Sequence, residues 1–185
     1  GMLGYLAVSF NSGRIVHWLG IGSAIALSCL IAGIGLMGFT LSPEWWMMIA
    51  CAFISGMGGG GVDASINTYV ATYYSARLMN GVHASFGLGA TIGPMIMTTM
   101  LDSDLSWRWG YVVGSIAWIM VAVGFAVNLN RERRSRLQNN QPEPERESHT
   151  STRATLRIPL VWLGIAILFV YTGTEAIAGQ WVYSL

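Results

Sequence analysis

With 185 residues, 53% of them hydrophobic and 10% charged, the chain has too little charge to cover a water-soluble globule, where about a quarter of residues are charged. A net charge of +1 gives no indication of a nucleic-acid partner, and none is expected; what matters is where the charges sit. All ten basic residues are arginine, so a phosphate-loop lysine is missing as well.

A bilayer is crossed by about 20 mainly apolar residues in a helix. The opening GMLGYLAVSF is already apolar and has no basic region before it, so no cleavable signal is expected. The chain reads as a fragment that begins inside a hydrophobic segment. Residues 2–16 predict a shortened span that ends around Asn11, Ser12, Gly13 and Arg14. A full span follows over 20–41 and stops at Ser42, Pro43 and Glu44. The next runs from Trp45 to about Ser75, and another covers 79–101 before the polar turn DSDLSWR. A fifth candidate occupies 109–129. Residues 131–157 are hydrophilic and rich in Pro, Glu, Ser and Asn, a composition that predicts a disordered loop. The last span starts at Ile158 and Pro159, with proline near a helix start. The expected divisions are 1–18, a helix end and turn; 19–130, four spans; 131–157, the loop; and 158–185, a final helix. The fold class is all-α and integral to the membrane.

Cys29 and Cys51 fall within apolar runs and read as small buried side chains, not as a disulfide or a metal pair. Arginine placement predicts orientation. One set of alternate loops holds Arg14, Arg77 and the seven arginines of 131–157, whereas the other holds Arg108 with Glu44, Asp102 and Asp104. The first side is expected to be cytoplasmic, in the plasma membrane. Trp45, Trp46, Trp107, Trp109 and Trp181 then fall at outer boundaries, and Trp18 and Trp162 at inner ones, as an aromatic belt requires. Trp118, in mid-span, reads as packing.

The 20–41 and 109–129 spans hold almost only apolar, Gly and Ser/Thr residues, while Asp63 and Asn67, Asn80 and His83, and Glu175 and Gln180 mark the others. Bland helices can face lipid, whereas helices with ionisable groups must face a cavity or partner. The alternation suggests three-helix units of the kind repeated in secondary transporters.

The stretch GMGGGGVDASIN, residues 56–67, contains G-x-G-x-x-G. A dinucleotide turn would need a strand before it and an acid about 20 residues later. Instead a long apolar run leads in, and the next acid after Asp63 is Asp102. In a membrane helix, Gly56 and Gly60 form a small-xxx-small face for close approach. Gly56, Gly60, Asp63 and Asn67 share that face, and the glycines are expected to leave the segment flexible enough to gate. Asp63 lies near mid-span, where an unpaired charge costs about 3 kcal/mol or more. Glu175 falls in the outer half of its span. His83 is a candidate to take a proton or bind a hydroxyl. Gly93 and Pro94 predict a kink where a gate could hinge.

These residues resemble the major facilitator superfamily, within it the sugar branch typified by fucose–proton symporters. The resemblance rests on GMGGGGVDASINTYV, RLMNGVHASFGLGATIGP and YTGTEAIAGQW. It implies a helical bundle of which this chain supplies the second to seventh of twelve helices, with the first and the last five missing. It implies that Asp63 is the protonatable acid of a central cavity, with Glu175 a second acid. Asn67, His83, Gln180 and Trp181 are then candidates for the substrate site.

The expected mechanism is proton-coupled uptake of a sugar or similar polar solute by alternating access, without cofactor or metal. Its partners are the solute, protons and the lipid bilayer. The rival is a proton-driven exporter of hydrophobic compounds, because residues 89–94 match G-x-x-x-G-P, half of an antiporter motif. An intramembrane aspartyl protease would need Gly-x-Gly-Asp, which Val62 interrupts, and His83-Ala84-Ser85 makes no nucleophile elbow. No enzyme is expected.

Overall fold

The computed structural model describes residues 1–73 and 75–138. The chain divides into units Gly1–Arg146 and Glu147–Leu185, and the described helices all belong to the first. They are α1 (Met2–Leu19), α2 (Ile21–Leu41), α3 (Trp45–Tyr73), α4 (Ala76–Asp102) and α5 (Arg108–Gln138). Among the described residues, four stretches are long and apolar enough to cross a membrane: Ile21–Leu41, Trp45–Thr72, Ala76–Asp102 and Arg108–Arg131. Large apolar side chains such as Leu27, Ile34, Ile49, Ile116 and Met120 stand exposed on these helices. Water would penalise that surface at roughly 25 cal/mol per Å²; hydrocarbon does not. The protein is integral to the membrane.

Local chemistry sets the helix ends. Gly20 alone joins α1 to α2, at φ 76°, a conformation open to glycine at little cost. Its N–H donates to the Val16 carbonyl while its own carbonyl accepts from Ala24. At the far end of α2, Pro43 biases its predecessor to extended backbone, and Ser42 adopts φ −71°, ψ 117°. The Ser42 hydroxyl donates back to the Gly38 carbonyl at 2.6 Å. After α4 the chain reverses at Asp104, φ 55°, a left-handed position that Asp tolerates better than most residues.

Two helix ends differ from expectation. α1 does not stop at Asn11 to Arg14 but runs to Leu19. Asn11 and Ser12 turn their side chains back onto the Ala7 and Ser9 carbonyls, so the polar residues are absorbed without breaking the helix. The loop expected from 131 does not begin there, because α5 continues to Gln138. Arg, Glu, Leu and Gln are good helix formers, and they extend the helix beyond its apolar part. Residues 139–157 lie outside the described residues, as does the helix expected over 158–185.

The blandest helix is also the most buried. α2 packs against α3 and α5 and touches α1, while α1 packs along α3. Its buried residues are Ala24, Ile25, Ser28, Cys29, Ala32, Gly33 and Gly35. Lipid exposure, open to a helix this bland, is not what α2 adopts. Small side chains, not polarity, let helices come together in a solvent as apolar as their own surfaces. Ile25, Cys29 and Ala122 form the core, with Val62, Ile66, Trp118 and Phe125 against it, so mid-span Trp118 is a packing residue. The Ser115 hydroxyl, fully buried, donates to the Gly33 carbonyl of α2 at 2.7 Å. Cys29 and Cys51 are both free.

Candidate functional site

α3 carries its glycines on two faces. A Cβ on Gly58 would fall on the Ala32 backbone and the Ser28 carbonyl, and one on Gly61 would meet the Ser28 side chain. That face seats α2. A Cβ on Gly56 would meet the Gly1 carbonyl, and one on Gly60 the Tyr5 carbonyl and the Ser9 hydroxyl. This second face seats α1, and Gly4 of α1 rests in return on the Phe53 carbonyl. Gly56 and Gly60 thus provide a close helix crossing within an uninterrupted α3.

Asp63 and Asn67 continue the α1-facing row. The Tyr5 hydroxyl, from α1, donates to Asp63 Oδ2 at 2.5 Å. The Asn67 amide, one turn further along α3, donates to Asp63 Oδ1 at 3.0 Å. Both are neutral donors, and among the described residues no cation pairs with the carboxylate. Asp63 remains exposed, whereas the carbonyl oxygen of Asn67 is buried with no hydrogen-bond partner among the described residues. An unsatisfied buried acceptor of this kind costs about 1–3 kcal/mol. Chemically, the arrangement sets a hydrogen-bonded carboxyl group beside a buried amide oxygen.

Of the sequence-derived candidates, the structure brings together Asp63, Asn67, Gly56 and Gly60. It does not bring His83 to them. His83 is exposed on α4, and among the described residues no hydrogen bond joins it to Asp63 or Asn67. α4 buries none of its residues against its neighbours. Gly93 and Pro94 lie within that one helix, exposed. Glu175, Gln180 and Trp181 lie outside the described residues. Sequence reasoning missed Tyr5, which reads as one aromatic residue in an apolar run. The available signal was its spacing from Ser9, four residues on, which sets two hydroxyls on one face of α1.

Long apolar helices, one of them with an acid at mid-span, define a polytopic membrane protein. The sequence model of the Major Facilitator Superfamily matches residues 1–185, so the chain belongs to that family, a family of transporters and not of enzymes. A glucose/mannose transporter of Bacillus subtilis is 25% identical over 119 residues, which cover 63% of this chain and 29% of that protein. An efflux pump of Aspergillus clavatus is 30% identical over 135 residues, 65% of this chain and 24% of the pump. A D-xylose transporter of Levilactobacillus brevis is 30% identical over 95 residues, 46% of this chain and 20% of its own. The chain therefore spans less than a third of the length of these relatives. No solved structure matches it.

Proposed function

We propose that this chain is part of a transporter that carries a sugar or similar small polar solute across the membrane together with a proton, by alternating access. The observation that carries the reading is Asp63, an exposed mid-helix carboxylate held by Tyr5 and Asn67. Tyr5 and Asn67 are neutral donors, so neither adds a positive charge that competes with a proton for the carboxylate. Asp63 takes a proton on one side, the neutral acid and solute cross, and inward release re-ionises it. The unpaired oxygen of Asn67 suits a solute hydroxyl. The sugar-transporting relatives support the solute class.

Within this reading α1 to α5 are the second to sixth helices of twelve, and residues 158–185 the seventh, with Glu175, Gln180 and Trp181 facing the pathway. The Arg-rich segment 131–157 is cytoplasmic and the membrane is the plasma membrane. His83, Gly93 and Pro94 act only if α4 closes on α3 in another state of the cycle.

Export is the second reading, favoured by the efflux-pump relatives and by Gly89, Gly93 and Pro94 in their G-x-x-x-G-P spacing. The external pH of a lightly buffered suspension of de-energised cells or vesicles containing the complete transporter separates the two. Symport predicts that adding solute makes the medium more alkaline as protons follow it inward. Acidification on adding a transported compound would favour antiport, and no pH change with either class of compound would contradict proton coupling.

A further inference from the structure

We propose that Tyr5 is a positioning residue for Asp63, fixed for that task by the glycine seat at Gly60. The inference rests on the reading of Asp63 as the coupling acid and adds to it a residue on a different helix. Tyr5 meets α3 twice. Its backbone lies so close to Gly60 that a Cβ there would collide with the Tyr5 carbonyl and Cα. Its hydroxyl reaches the carboxylate three residues further along α3. One turn on, the Ser9 hydroxyl donates to the Gly60 carbonyl at 3.4 Å, a second tie at the same crossing. The base of the tyrosine is thus set by contact with backbone, and a ring with two χ angles carries the hydroxyl to Asp63.

The choice of a phenol has a chemical consequence. A tyrosine hydroxyl both donates and accepts. It donates to Asp63 when the acid is ionised, and it accepts from the acid when that oxygen carries the proton. The carboxyl group is therefore held in one place in both protonation states. An arginine or lysine in the same position, a donor only, would hold the ionised form alone. Asn67 bonds the other carboxylate oxygen, so rotation of the group is opposed at both atoms. Removing the hydroxyl leaves one restraint of two.

Infrared spectra of the complete transporter in lipid vesicles test this. The Asp63 carboxylate band is identified by its loss in Asp63→Asn. At one fixed pH at which that band is present, Tyr5→Phe, which keeps the ring, is expected to shift it. Gly60→Ala, which pushes the tyrosine away, is expected to shift it in the same direction. An Asp63 band left in place by Tyr5→Phe would overturn the proposal. Should Tyr5→Phe fail to reach the membrane, 3-fluorotyrosine at position 5 keeps the ring and makes the hydroxyl a stronger donor. It is expected to move the band the opposite way, and an unmoved band would again overturn the proposal. The readout needs no transport. A shifted band in a transporter whose uptake ignores Asp63→Asn would sink the coupling role and leave the Tyr5 contact standing.

Discussion

α3 and α4 are both long, both apolar and both rich in glycine, yet a methyl group added to each would meet different surroundings. On α3, a Cβ at Gly56, Gly58, Gly60 or Gly61 strikes a neighbouring helix, at backbone in the first three cases. On α4, a Cβ at Gly81, Gly87, Gly89 or Gly93 meets nothing within 4 Å. The difference teaches that glycine content marks no function by itself. On α3 the glycines bring two helices to backbone contact and thereby set the place of a carboxylate. On α4 they face open space, in a helix that has no fully buried residue and meets α5 through Met97 beside Gly110.

Substitutions sharpen this contrast. The largest effect is expected for Gly58→Val, which drives a branched side chain into the backbone of Ala32. Overpacking against a surface that cannot give is expected to cost about 3 kcal/mol, read as a loss of folded protein in denaturant titration in detergent. Gly60→Ala adds one methyl against Tyr5 and Ser9, with an expected cost of about 1–2 kcal/mol in the same titration. Its loss of transport is expected to exceed that of a Gly58 variant of equal stability, because only the α1 face holds Asp63. Ser115→Ala removes the buried bond to the Gly33 carbonyl. Interhelical hydrogen bonds of this type average about 0.6 kcal/mol in membranes, so a small loss is expected. Gly93→Ala is expected to change stability least, within about 1 kcal/mol and in the favourable direction, by helix propensity alone. A loss of several kcal/mol there would break the comparison, by revealing a helix seated on α4.

Much of the membrane architecture could be read from residues alone, because run length and charge placement answer directly to bilayer thickness and desolvation. The row Gly56, Gly60, Asp63, Asn67 was legible through helical spacing, and the structure keeps it on one face, toward α1. The second row, Gly58 and Gly61, was not, since nothing in α3 says which of five glycines meets which neighbour. Tyr5 is 58 positions from Asp63, a separation that local pattern cannot bridge. The central place of α2 was hidden for a related reason. Its Gly, Ala, Ser and Cys residues look featureless on a hydropathy scale, yet their small size is what admits three other helices. The run to Gln138 was obscured by averaging over 131–157, where helix-forming residues at the start were weighed together with the later Pro and Asn.

The account depends on Asp63 exchanging a proton as solute crosses. The direct measurement is uphill solute accumulation driven by an imposed proton gradient, in vesicles holding either the complete transporter or its Asp63→Asn variant. Concentrative uptake is expected to vanish in the variant, while exchange of labelled for unlabelled solute, which needs no net proton movement, persists. Unchanged accumulation in the variant would contradict the account.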